Sequence, residues 1–223
     1  MVMNPTYCSP AEMPAVIPLF PLSGVLLLPR GQLPLNIFEP RYLALVDDAL
    51  AGRRIIGIIQ PDAEETAQTS TPRLYAVGCA GRITQLAETG DGRYLITLSG
   101  IARFRVREEL TVMTPYRQAR VDYEPFAVDF TPRAGEEAVD RNALIRALRD
   151  FAAANDLKID WKSIEEAPNE ALVNALSMMS PFGAKEKQAL LEALDLKARA
   201  ETLVAITEIE LARIAGGSET TLQ

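Results

Sequence analysis

A change of pattern at Thr131-Pro132-Arg133 divides this sequence into two halves that cannot share one kind of secondary structure. Up to about residue 125 it consists of short apolar runs broken by Gly, Pro and Asp, which is how strands read. Val25-Leu26-Leu27-Leu28 stops at Pro29, Ile55-Ile56-Gly57-Ile58-Ile59 stops at Gln60-Pro61, and a further run extends from Leu74 to Ile83. Such runs suit strands buried on both faces or set in a barrel wall. Tyr94, Ile96 and Leu98 alternate along one face, and Gly90-Asp91-Gly92 just before them predicts a hairpin with arms over 81–87 and 93–99. One helix is expected in this half. Pro40 suits its first position, Leu43, Val46 and Leu50 share a face, and Gly52 supplies the stop. The polar segment 62–71 has no apolar period and reads as a surface loop.

Beyond Arg133 the period becomes helical. Leu144, Leu148 and Phe151 line a first helix, Leu172, Leu176 and Met179 a second, and Leu190, Leu191 and Leu194 a short third. A fourth over 197–215 carries Leu203, Ile206, Ile209 and Ile214 and is expected to end at Gly216-Gly217. The expected organisation is α+β: a β-rich domain over 1–131 with a helix near 40–51, a helical bundle over 132–215, and a polar tail over 216–223.

Composition narrows the chemistry. Among 223 residues there is no histidine, which rules out Ser-His-Asp triads, Cys-His pairs and HExxH zinc sites. The two cysteines, Cys8 and Cys79, lie far apart, with Cys79 inside an apolar run where it reads as a small buried hydrophobe. Neither a Gly-x-x-x-x-Gly-Lys-Ser/Thr loop nor a Gly-x-Gly-x-x-Gly fingerprint occurs. The five lysines all follow residue 157 in polar helical surroundings, so a Ser-Lys dyad has no support. No enzyme, cofactor or metal site is expected.

Charge and targeting point the same way. With 23 basic against 30 acidic residues the net charge is -7, which disfavours nucleic acid and anionic membrane as partners. The apolar stretch over 16–28 is interrupted by Pro18, Pro21 and Gly24 and is too short to span a bilayer. No secretion signal is visible and cysteines are few, so a cytoplasmic setting is expected. One counter-signal is the alternation of Arg103, Arg105 and Arg107 with Phe104 and Val106, which would place three guanidinium groups on one strand face. Read sharply, with Arg117 and Arg120, it is an RNA-binding stripe. Read plainly, it is a solvated face neutralised by Glu108, Glu109, Asp122 and Glu124.

The densest local signal is the opening. Ile17-Pro18-Leu19-Phe20-Pro21-Leu22, Val25-Leu26-Leu27-Leu28-Pro29 and Leu33-Pro34-Leu35-Asn36-Ile37-Phe38-Glu39-Pro40-Arg41-Tyr42 follow in order, their prolines confining strands to edges, bulges or corners. This order resembles the start of the N-terminal domain of the ATP-dependent Lon protease. Gly78, Arg82-Ile83 and the run from Asp91 to Val106 resemble that family's hairpin and its Gly-x-x-Arg-Phe strand, and the run Lys185 to Glu192 resembles its helical part.

The resemblance covers about 16–215 and implies a PUA-like, β-barrel-like domain followed by a helical bundle. It further implies a stand-alone substrate-recognition domain of a class known among bacterial proteins, without the protease's ATPase and peptidase modules. The expected function is non-catalytic binding of polypeptide, with unfolded or client chains as partners and an ATP-dependent protease as a further candidate; the alternative is RNA binding through the PUA-like barrel. Phe20, Phe38, Glu39, Arg41 and Tyr42 are the candidate peptide-binding residues, with the apolar rings beside a groove. Each has a plainer role open to it, the rings as barrel core and Glu39 with Arg41 as a cap and fold-fixing ion pair.

Overall fold

The structure, a computed structural model, describes residues 6–62 and 72–219, with side chains as far as 215. The expected loop over 62–71 therefore lies almost wholly outside the described residues, as does the end of the tail. Two compact units are present: one comprises the chain to Pro132 together with Phe182–Leu191, the other Arg133–Pro181 with the chain from Glu192 onward. The helical half of the sequence thus returns one segment to the β-rich unit.

Six strands build the first unit: β1 (Val16–Pro21), β2 (Gln32–Ile37), β3 (Ile55–Ile59), β4 (Val77–Thr89), β5 (Arg93–Leu110) and β6 (Gln118–Asp122). Pairing runs β5-β4-β3-β1-β6 and closes because β6 also pairs with β5, giving a five-stranded barrel. Closure removes sheet edges around the barrel. The β1–β3 pair is parallel and the others antiparallel. Ile17, Leu19, Ile59, Ala80, Ala102, Phe104 and Ala119, all at most 1% exposed, fill its interior. As the apolar run predicted, β3 is buried along its whole length.

The β4–β5 hairpin continues past the barrel, where β2 pairs with the first half of β5 to make a three-stranded sheet in the order β2-β5-β4. Helix α1 (Pro40–Ala51) forms where the sequence placed it, with Pro40 at its start and Gly52 as its C-cap. The Asp47 carboxylate of α1 lies close enough to the Tyr94 hydroxyl of β5 to raise its pKa.

Two local expectations are corrected. Val25–Leu28 is not a strand: it is an irregular segment with Leu26, Leu27 and Leu28 at most 2% exposed. Its end lies over Gly100, whose carbonyl accepts from Arg30 N–H at 2.8 Å and whose N–H donates to Gly31 at 2.9 Å. A Cβ built at Gly100 would stand 2.0 Å from the Leu28 oxygen, so only glycine admits this approach. The run beginning at Leu74 also enters β4 only at Val77, Leu74 making an isolated bridge to Pro61.

The second unit holds α2 (Arg141–Ala154), α3 (Trp161–Glu166), α4 (Asn169–Met179) and α6 (Leu196–Glu219), while α5 (Ala184–Glu192) belongs almost entirely to the first. Asp140 caps α2 by accepting from Ala143 N–H at 2.9 Å. Arg141 donates to the carbonyls of Ile164, Glu165 and Ala167, taking up the last carbonyls of the short α3. Leu144, Leu172 and Leu203 are buried as expected, but Met179 and Leu194 are each 82% exposed and are not core. Helix α6 runs past the two glycines expected to end it, through Glu219. No helix among the described residues is long and apolar enough to cross a membrane.

Candidate functional site

The pleat of the β2-β5-β4 sheet sorts its side chains into two faces. On one, Leu33, Leu98 and Ile83 form a cross-strand row, followed by Leu35, Ile96 and Leu86, then Ile37, Tyr94 and Glu88. Ile37, Ile83, Ile96 and Leu98 are each at most 2% exposed, so this face is core except at the outer β4 edge, where Leu86 and Glu88 are exposed. The other face carries the intervening rows: Gln32 with Ser99 and Arg82, where the Thr84 hydroxyl also meets Ser99 Oγ, Pro34 with Thr97 and Gln85, and Asn36 with Leu95 and Ala87.

A bulge between Ile83 and Gln85 admits Thr84 as an extra residue on this second face and bends β4. The upper rows are tied by polar contacts: Gln32 Nε2 donates to Ser99 Oγ at 2.7 Å and Thr97 Oγ1 to Gln85 Oε1 at 3.1 Å. The lower rows are apolar. Leu95 is 45% exposed at the centre of the sheet, and Pro34, Asn36, Ala87 and Leu95 line an open hollow of about 440 Å³.

The five residues singled out from the sequence do not assemble into one site. Phe20 and Tyr42 are 6% and 8% exposed and stack on each other with centroids 4.1 Å apart, so both are core. Burial, the largest influence, holds the Tyr42 phenol above its ordinary pKa, against the opposing charge of Arg41. Glu39 and Arg41 pair at 2.8 Å on the surface, where such a contact contributes little to stability. Arg41 also lies over the Tyr42 ring at 4.5 Å, covering its outer side.

Of the three aromatic rings only Phe38 is presented to solvent, at 60% exposure. It follows Ile37 and by alternation continues the Pro34 and Asn36 face, with the Arg93 guanidinium 5.9 Å from its ring. The hollow and Phe38 thus belong to one side of the sheet. Sequence reasoning marked Pro34 as an edge-strand breaker but missed Leu95 and Ala87. The usable signal was the alternation itself, for if Tyr94, Ile96 and Leu98 face the core, Leu95 and Thr97 must face away.

The arginine alternation resolves largely as the plain reading expected, with Asp122, Glu109 and Glu108 set against Arg107, Arg117 and Arg120, but Arg103 is not on a solvated face. Arg103 is 1% exposed: its Nε and Nη2 donate to the two Asp129 carboxylate oxygens at 2.9 and 2.8 Å, and Nη1 to the Leu191 carbonyl at 3.2 Å. Its guanidinium also lies 4.7 Å from the Phe126 ring. Arg107 is bonded to Asp122, Arg117 to Glu109 through Nε and Nη2, and Arg120 stands 3.8 Å from Glu108. The Asp122 carboxyl lies below its usual pKa, chiefly because the Glu124 N–H bonds it, with Arg107 and Arg105 adding to the effect. The strand therefore presents no open row of three guanidinium groups.

A model of the ATP-dependent protease La (LON) substrate-binding domain matches residues 16–208. The chain belongs to this family. Lon protease 2 of Myxococcus xanthus is 33% identical over 200 residues, covering 84% of this chain and 23% of that protein. Lon protease of Anaeromyxobacter dehalogenans is 30% identical over 201 residues, covering 87% and 23%. The chain thus spans about a quarter of the length of the curated relatives it matches.

Two solved structures share the fold. A Lon N-terminal domain protein from Xanthomonas campestris superposes with a TM-score of 0.61 at 23% identity, covering 85% of this chain and 97% of that one. The N-terminal domain of Mycobacterium avium complex Lon protease gives 0.62 at 17% identity, covering 86% and 98%. The mixed architecture of a β-rich unit and helices is the one the sequence pattern and the resemblance implied.

Proposed function

We propose that this chain is a non-catalytic polypeptide-recognition module that holds unfolded or client segments on the open face of the β2-β5-β4 sheet. One observation carries the reading: in a family described by substrate binding, the sheet leaves Leu95 45% exposed beside Pro34 and Ala87, with Phe38 60% exposed on the same side. Open apolar surface flanked by backbone and amide groups suits extended chains of varied sequence. Covering what remains exposed of Leu95 or Phe38 is worth about 1 to 2 kcal/mol each, so single contacts are weak and affinity grows with the number of segments engaged.

A cytoplasmic setting accords with two free cysteines, one of them buried. Handing the bound chain to an ATP-dependent protease accords with the relatives, in which the matched region is 23% of a Lon protease.

The test is fluorescence anisotropy of a labelled, reduced and alkylated protein titrated with wild type, Leu95→Glu and Phe38→Ala. Each variant should weaken binding at least about fivefold, the loss of roughly 1 kcal/mol of apolar burial, with an unchanged melting temperature. Equal affinity for all three proteins refutes the site, and no binding by wild type refutes the function.

A further inference from the structure

The outer half of β4 loses its pairing on one side while keeping it on the other. The β3 pairing ends at Arg82, and the Arg54 carbonyl takes the Ile83 N–H at 2.8 Å. From Thr84 to Thr89, among the described residues, β4 pairs with β5 alone. In an antiparallel strand every second residue turns its N–H and C=O away from the partner, so this edge offers a line of donors and acceptors to solvent. Exposed edges are ordinarily blunted by proline, by charged side chains or by bulges. Between the bulge at Thr84 and the charge of Glu88, Gln85-Leu86-Ala87 carries none of these, whereas the opposite edge of the same sheet, β2, has Pro34 within it.

The side chains along this edge specify what it could take. Leu86 is 47% exposed at the end of the Leu35 and Ile96 row. Glu88, two residues on and therefore on the same face, ends the Ile37 and Tyr94 row, is exposed, and has no basic partner among the described residues. Cross-strand neighbours directly opposite favour apolar against apolar and opposite charges against each other. Whichever way an added strand runs, the residues facing Leu86 and Glu88 are two apart. Its other side chains fall beside Ala87 and extend the face around Leu95.

We infer that the Thr84–Thr89 edge takes an extended polypeptide segment as an added strand, one that sets an apolar side chain against Leu86 and a lysine or arginine two residues away against Glu88. This deepens the polypeptide-binding reading and rests on it.

The experiment uses labelled ten-residue peptides of alternating valine and threonine with one lysine, titrated against the full chain. Two further peptides are N-methylated at every second residue, in opposite phases. Added-strand pairing predicts that one phase loses binding at least about tenfold through its missing edge hydrogen bonds, while the other phase keeps it. Glu88→Lys should weaken the lysine peptide by about two- to fivefold and strengthen its glutamate counterpart by a similar factor. If the two phases behave alike, or the charge exchange is not reciprocal, the edge inference is overturned. Should Leu95→Glu still weaken binding in that case, the polypeptide reading stands without it; if neither peptide nor unfolded protein binds wild type, both fall.

Discussion

Replacing Asp129 by alanine tests the most deeply buried charge in the β-rich unit. Asp129 accepts the Arg103 backbone N–H at 2.9 Å and two guanidinium bonds at 2.9 and 2.8 Å, with the two side chains 6% and 1% exposed. Alanine removes both acceptor oxygens, and with them all three hydrogen bonds, and leaves a buried guanidinium. The Leu191 carbonyl and the Phe126 ring are still beside it, but neither carries a compensating charge. Removing one partner of a buried ion pair costs about 3 to 5 kcal/mol. For a chain of this size each kcal/mol lowers the melting temperature by about 2 to 4 °C, so a fall of about 6 to 20 °C is expected. Urea denaturation followed by circular dichroism gives the free energy directly. The double variant Arg103→Met/Asp129→Leu should recover most of the loss, because an apolar pair of similar volume carries no desolvation cost. A loss below about 1 kcal/mol for Asp129→Ala would refute the reasoning, since it would mean that the guanidinium finds water or another partner at little cost.

Other perturbations separate core from surface. Phe20→Ala should lower stability by about 3 to 5 kcal/mol in the same urea assay, its ring being 6% exposed and stacked on Tyr42, while the protein that remains folded binds unfolded chains as before. Gly100→Ala forces a Cβ to within 2.0 Å of the Leu28 oxygen and should cost at least about 1 to 3 kcal/mol by urea midpoint. The buried Tyr116 phenol is pushed up to about 12, by burial first and then by the hydrogen bond it donates to Asp48 at 2.5 Å. Against an unfolded value of about 10, the folded state holds this proton more tightly. Its contribution is full below pH 10 and lost as pH rises towards 12. The stability difference between wild type and Tyr116→Phe, measured by urea midpoints at pH 9, 10 and 11, should therefore narrow as pH rises.

Local pattern carried much of the fold. Pro40, the spacing of Val46 and Leu50, and Gly52 marked α1, and the alternation of Tyr94, Ile96 and Leu98 marked the core face of β5. Long-range neighbours decided what pattern left open. Arg103 alternates with Phe104 and so reads as outward facing, yet its surroundings come from Asp129, 26 residues away, and Leu191, 88 away. Nothing local reports that the outer side of the barrel is covered at that point. Val25–Leu28 is apolar because it is buried, and burial alone does not distinguish a paired strand from an irregular segment. The same ambiguity joined Phe20 to Phe38 as candidates. Each follows an apolar strand residue, but Phe20 turns onto Tyr42 and Phe38 turns with Pro34 and Asn36 to solvent. The period of α5 was legible, whereas its place in the β-rich unit depends on Gln60, whose amide nitrogen donates to the Ala184 carbonyl at 2.9 Å.

The open sheet face is the central claim, and it is tested most directly by amide chemical-shift mapping of the isotopically labelled chain titrated with an extended apolar peptide. The account predicts shifts that saturate together and cluster at 34–38, 84–89 and 93–97, which the pairing of β2, β4 and β5 brings side by side. Shifts centred instead on the helical unit or around Phe20 and Tyr42, with those three stretches unmoved, would contradict it.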